Sequence, residues 1–219
     1  MASGNKKKLF GTDGIRSRFG EFPFDQHALI SFGSILANFW QGKKILMGRD
    51  TRESGRYIES TIATGMADQA EVHSCGVIPT PGLSYLLGHS DFDYGLMITA
   101  SHNPFHDNGI KIFQANGEKI SGELESRIED AFYSRYGNEK PEREQSREDP
   151  IRDLPRAHTQ EYRQFLLDQS VDLDTLKLKC VLDCAHGATF GIAPLVFRET
   201  GLDMTATNTQ PDGRNINDN

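Results

Sequence analysis

The sequence predicts an α/β protein, with a layered α/β/α domain built on a mixed sheet over residues 1–154 and an incomplete second domain of similar type over 155–219. Three observations lead to it. Short apolar or β-branched runs alternate with stretches whose apolar residues recur at helical spacing, the pattern of helices packed on a sheet. Polar, glycine-bearing stretches follow several of the strand-like runs, where loops converge in such folds. After Tyr136 the alternation gives way to a charged stretch with three prolines, then resumes for two strands and two helices, too few to enclose a core.

In chain order, "DQHALISFGSILANFW" predicts a helix with Asp25 as its cap and Leu29, Phe32, Ile35, Leu36, Phe39 and Trp40 on one face. Strands are predicted at 43–48, 70–79, 93–100 and 110–114, each bounded by turn residues. "RESGRYIESTIATGMADQ" places a helix between the first two strands. "SGELESRIEDAFYSRY" places another after the fourth, with Ser121 as N-cap and Glu123 and Glu125 at the positive end of the helix dipole. "GNEKPEREQSREDPIRDLPRA" reads as a surface connector. Beyond it, "HTQEYRQFLLDQ" reads as a helix, "LKLKCVLDC" as a strand, "ATFGIAPLVFRET" as a helix and "LDMTATN" as a strand. With so few elements in the second unit, the chain is expected to be the front part of a longer protein.

At 219 residues, 37% hydrophobic and 25% charged, the chain has a globular composition. Its net charge of −7 argues against nucleic acid as a partner, which needs a basic stripe facing phosphates, but allows a local cationic pocket for one small phosphate ester. No apolar run approaches the length of a membrane span, and the basic start "MASGNKKKLF" lacks a signal-peptide core. A cytoplasmic protein with no membrane partner is expected. The odd cysteine count, Cys75, Cys180 and Cys184, points to reduced thiols. Cys180, Cys184 and His186 lack the second ligand pair of a zinc site and read as part of a strand and its turn.

Three stretches carry candidate chemistry: "FGTDGIRSRFG", "MGRDTRESG" and "TASHNPFHDNGIK". Read alone, "GTDGIR" is a tight turn, "GRDTR" a salt-bridged helix start, and the Asn-Pro pair a turn closing a strand. Ser101 and His102 are adjacent, so in an extended segment they face opposite sides, which disfavours a hydrolase dyad; no nucleophile elbow surrounds the serine. His102 and His106 have the spacing of helical zinc ligands, but Pro104 between them disfavours a helix.

"TASHNPFHDNGIKIF" resembles the phosphoserine loop of the α-D-phosphohexomutase superfamily, and "KLFGTDGIR", "GRDTRESG", "GVIPTPG" and "VLDCAHGAT" fall in that family's order along nearly the whole chain. "LFGTDGIR" and "DNGIKIF" are most similar to the branch acting on glucosamine phosphates, with the phosphomannomutase/phosphoglucomutase branch the nearest alternative. The resemblance implies an enzyme that interconverts 6-phospho and 1-phospho sugars through a phosphorylated serine, here Ser101, and a bisphosphorylated sugar that also serves as activator. It implies that Arg16 and Lys111 offset the phosphate charge and manage the sugar hydroxyl's proton, that His102 and Asn103 shape the loop and donate hydrogen bonds, and that Thr12 and Asn103 contact phosphate. It further implies Mg2+, held by the Ser101 phosphate and by an acidic loop that the family places after the last residue here. A phosphosugar substrate and a homodimer complete the expected partners. Ser17 departs from the family's usual glycine. A non-catalytic module that binds phosphosugar or dimerises is the alternative of a different class.

Overall fold

The computed structural model describes residues 8–67, 69–136, 150–170 and 178–218. The strands are β1 (Phe10–Gly11), β2 (Gly14–Arg18), β3 (Lys44–Arg49), β4 (Glu71–Val77), β5 (Tyr94–Ile98), β6 (Asp107–Gln114), β7 (Ile151–Asp153), β8 (Lys179–Asp183) and β9 (Asp203–Thr207). The helices are α1 (Gln26–Phe39), α2 (Gly55–Met66), α3 (Thr80–Gly88), α4 (Gly122–Arg135), α5 (Arg156–Asp168) and α6 (Ala193–Glu199). The first seven strands form one mixed sheet in the order β1-β2-β6-β5-β3-β4-β7, and β8 and β9 pair separately.

Strand pairing dictates the layers. β3 pairs parallel with both β4 and β5, so the connections through α2 and α3 leave in opposite directions along the sheet. Right-handed crossovers then place the two helices on opposite faces. The burial pattern agrees: Ile45, Leu96, Ile98, Ile110 and Ile112 pack with residues of α1, α2 and α4, whereas Leu46, Met97 and Phe113 pack with α3 and with Tyr162 of α5. β6 pairs antiparallel with β5, and β2 pairs antiparallel with β6 on its other edge.

The expected helix starts are present. Asp25 accepts from the Ala28 amide at 3.0 Å, and Ser121 from that of Leu124 at 3.2 Å. Phe39 is half-buried, while the other five residues of the predicted apolar face of α1 are buried. Four parts of the chain depart from the sequence reading. Helix α3 occupies "TPGLSYLLG", between the second and third predicted strands, where no element is predicted; Pro81 lies in the first helical turn, where no backbone donor is required. β1 and β2 form a hairpin across what read as a turn only. Ile151, buried within the charged connector, pairs β7 with β4. The helix expected over 188–200 begins only at Ala193. Connector residues 137–149 lie outside the described residues. β7 and α5 flank the expected boundary at 154/155, and α5 packs on α3. Among the described residues, no helix is long and apolar enough to cross a membrane.

Helices α1 and α2 cross with backbones in contact. A Cβ at Gly65 would sit 2.3 Å from the Ile30 carbonyl oxygen and 2.9 Å from the Gly33 Cα. Backbone atoms cannot move aside as a side-chain tip can. Gly65→Ala is therefore expected to destabilise the chain by at least ~2 kcal/mol in urea denaturation. Gly122→Ala, with open space around its Cβ, is expected to be neutral or stabilising by up to ~1 kcal/mol. Equal stability of the two variants would contradict this packing.

Candidate active site

β3 and β5 are adjacent and parallel, so the segments that follow them emerge side by side. These are Asp50–Ser54 and the loop at 99–106 that carries Ser101. Arg52 links them. Its side chain is fully buried, and its Nε donates to Asp50 Oδ2 at 3.0 Å. One Nη donates to the carbonyls of Ser101 (3.1 Å) and Asn103 (3.0 Å), and the other to that of Pro104. Asp50 in turn accepts from Thr99 Oγ1 at 2.7 Å, and that hydroxyl oxygen accepts from the Ser101 amide at 3.0 Å. A buried charge is tolerated when its remaining donors are satisfied, and here the loop backbone satisfies them.

Two further donors finish the loop. Arg16 on β2 gives one Nη to the Ala100 carbonyl at 2.7 Å and approaches Asn103 Oδ1 at 3.4 Å. Asn217, at the far end of the chain, donates to the His102 carbonyl at 2.9 Å. Each carbonyl from Ala100 to Pro104 thus accepts from a side chain. Nearby, Thr51 Oγ1 donates to the His186 carbonyl (2.6 Å) and Arg214 pairs with Glu53 (2.7 Å), fixing the later part of the chain against the segment after β3.

Ser101 is exposed and has φ +57°, in the left-handed region that non-glycine residues rarely adopt. The loop is therefore not extended, and Ser101 Oγ lies 3.4 Å from His102 Nδ1. This corrects the expectation, drawn from extended geometry, that the two side chains face opposite ways. Asn103 is held at both ends of its amide, its Nδ2 donating to Asp107 Oδ2 at 2.9 Å. Thr12, exposed at the β1–β2 turn, enters none of these contacts. Ser17 donates to the Phe22 carbonyl at 3.0 Å.

Lys111 reaches the same region from β6. Pairing Arg16 with Gly109 and Lys111 with Met97 puts both cations on one face of the sheet, because alternate strand residues share a face. Both meet Asp13: Arg16 Nη2 at 2.7 Å and Lys111 Nζ at 2.9 Å bind Oδ2, and Lys119 Nζ binds Oδ1 at 2.7 Å. Burial alone would raise the Asp13 pKa, but hydrogen bonds from Lys119, Lys111 and Arg16 outweigh it and hold the carboxyl far below the usual range. Sequence reasoning passed over Asp13, Arg52, Lys119 and Asn217. Asp13 and Arg52 lie inside quoted motifs whose local meaning was only turn and helix start, and the "GRDTR" ion pair does exist as Asp50–Arg52. Nothing in the sequence marks Lys119 or Asn217.

All three cysteines are free, and burial pushes the Cys75 thiol up to about 12, which keeps it protonated at neutral pH. Among the described residues no group of three or more His, Cys, Asp or Glu could hold a metal ion.

Residues 7–138 match the family described as phosphoglucomutase/phosphomannomutase, alpha/beta/alpha domain I. The chain is 40% identical, over 97% of its length and 47% of the relative's, to the phosphoglucosamine mutase of Koribacter versatilis. It is 41% identical to that of Cupriavidus pinatubonensis, over 97% of the chain and 48% of the relative. It spans about half the length of these curated relatives. A solved phosphoglucomutase/phosphomannomutase family protein from Burkholderia thailandensis superposes with a TM-score of 0.73 at 23% identity, over 94% of this chain and 45% of that one, a likeness of fold.

Replacing Arg52 by methionine removes the donors of three loop carbonyls and leaves Asp50 buried without its cation. The expected loss is ~3–5 kcal/mol in urea denaturation at neutral pH. Arg52→Lys is expected to recover less than half, because one ammonium cannot span the planar set of acceptors. Wild-type stability in Arg52→Met would overturn the bracing role.

Proposed function

Because the chain belongs to the phosphoglucomutase/phosphomannomutase family, whose alpha/beta/alpha domain I it carries over residues 7–138, we propose that it forms the phosphoserine part of a phosphoglucosamine mutase. The activity is exchange of phosphate between the 6- and 1-oxygens of glucosamine phosphate. Relatives of that name, at 40% and 41% identity, support the choice of sugar. One observation supports the chemistry above all. The exposed Ser101 hydroxyl stands on a loop whose carbonyls from Ala100 to Pro104 are each engaged by a side chain, with Arg16 bonded to that loop and Lys111 joined to Arg16 through Asp13.

Phosphoryl transfer asks for positioning and charge neutralisation more than for covalent ingenuity. Phospho-Ser101 gives its phosphoryl group to the free hydroxyl of the sugar monophosphate: the Ser101 Oγ–P bond breaks, a sugar O–P bond forms, and the sugar hydroxyl's proton ends, in net, on the Ser101 oxygen. The bisphosphate then returns its other phosphoryl group to Ser101, leaving the isomeric monophosphate. Arg16 and Lys111 offset the charge in both halves. His102, within 3.4 Å of Ser101 Oγ, and Asn103, which braces the loop, keep the nucleophile in place.

Family chemistry includes Mg2+, which would neutralise developing phosphoryl charge. The residues described do not by themselves make a magnesium site. The surroundings of Ser101 are cationic, and a phosphate on Ser101 is the one oxygen ligand assigned to this chain. A cytoplasmic setting is consistent with the free thiols.

Peptide mass spectrometry of the protein purified from its own cells tests the assignment. A phosphoryl group on Ser101 is expected, and none on the peptide from Ser101→Ala. Phosphate on Ser54 or Thr99, with Ser101 unmodified, would sink it.

A further inference from the structure

Asp13 has no part in the steps above, yet three cations converge on it. Arg16 and Lys111 share a single oxygen, so their nitrogens lie within about two hydrogen-bond lengths of each other. Lys111 is only 12% exposed, and two positive charges that close repel unless an anion sits between them. The carboxylate supplies that anion at the place where the proposed chemistry needs the cations to face a phosphate. Arg16 also ties the cluster to the serine loop, because its other nitrogen holds the Ala100 carbonyl. Lys119, 48% exposed, closes the remaining carboxylate oxygen from the turn after β6.

We propose that Asp13 is a positioning residue and the resident counter-ion of the site: it gathers Arg16, Lys111 and Lys119 on one carboxylate and cedes Lys111 to an arriving phosphate, which binds by exchange against Asp13. The proposal rests on the reading of this loop as a phosphate site. A phosphate monoester carries close to two charges against the carboxylate's one, so it can win the lysine without expelling Asp13 from the fold. The exchange lowers phosphate affinity. A site that must hand its phosphoryl group on gains from a weaker grip, since uniform tight binding does not speed transfer.

Inorganic phosphate is the probe, titrated into the 219-residue chain at fixed ionic strength and followed by NMR. Asp13→Asn is expected to bind phosphate ~10-fold more tightly, as removing one competing charge at this range predicts. Asp13→Glu, which keeps the charge, is expected to stay within ~3-fold of wild type. Lys111→Met alone should weaken phosphate binding, and Asp13→Asn added to Lys111→Met should bring no gain. In the unmutated chain phosphate should move the Asp13 Cγ resonance, a readout independent of whether the variants fold. Unchanged or weaker binding in folded Asp13→Asn, a gain that survives loss of Lys111, or a stationary Asp13 resonance would each overturn the proposal. Phosphate found on Ser101 alongside any of these outcomes would leave the functional reading intact. Tighter binding in Asp13→Asn, with Ser101 never phosphorylated, would do the reverse.

Discussion

The buried Asp50–Arg52 pair is the interaction on which the site depends. Taking a guanidinium and a carboxylate out of water costs several kcal/mol each, and a single contact between them does not return it. Here Arg52 spends its remaining donors on the carbonyls of Ser101, Asn103 and Pro104, and Asp50 accepts from Thr99. The pair is satisfied only while the loop holds its shape. The loop, with Ser101 at positive φ, holds its shape only while the pair is there. Sidedness follows: carbonyl oxygens engaged by Arg16, Arg52 and Asn217 are partly neutralised, which lowers their repulsion toward a phosphate on the serine hydroxyl.

Topology brings the rest to that loop. The parallel strands β3 and β5 deliver the Arg52 segment and the serine loop from adjacent strand ends. Strand β6 then returns antiparallel beside β5, with β2 antiparallel on its other edge, so Lys111 and Arg16 arrive on one face by register alone. Gly109 makes the return possible: a Cβ there would lie 2.3 Å from the Thr99 carbonyl oxygen. A side chain at that position would push β6 away from the residue that anchors Asp50.

Helical periodicity made α1, α2 and α4 legible, because their apolar faces are long enough to average over local exceptions. The hairpin of β1 and β2 and the three-residue β7 were not, since strands of two to five residues are too short to show a period. Helix α3 was hidden by Pro81 and Gly82, residues that mark turns unless they fall in a first helical turn or against a packed neighbour; a Cβ on Gly82 would press on Ile78 and Tyr162. At the site, Ser101, Arg16, Lys111 and Asn103 stood out by resemblance, and the structure joins them in one network while leaving Thr12 aside. Asp13 and Arg52 were unreadable in role because, beyond Arg16 and Asp50, their partners lie on strands and loops far along the chain. Local sequence shows that a charge exists. Only the fold shows what it neutralises.

Residues 100–104 are a braced part of the scaffold rather than a mobile surface loop. Backbone 15N relaxation of the 219-residue chain measures this directly. Bracing predicts order parameters of ~0.85 through the loop, equal to those of β5 and β6, whereas values below ~0.6 there would contradict it.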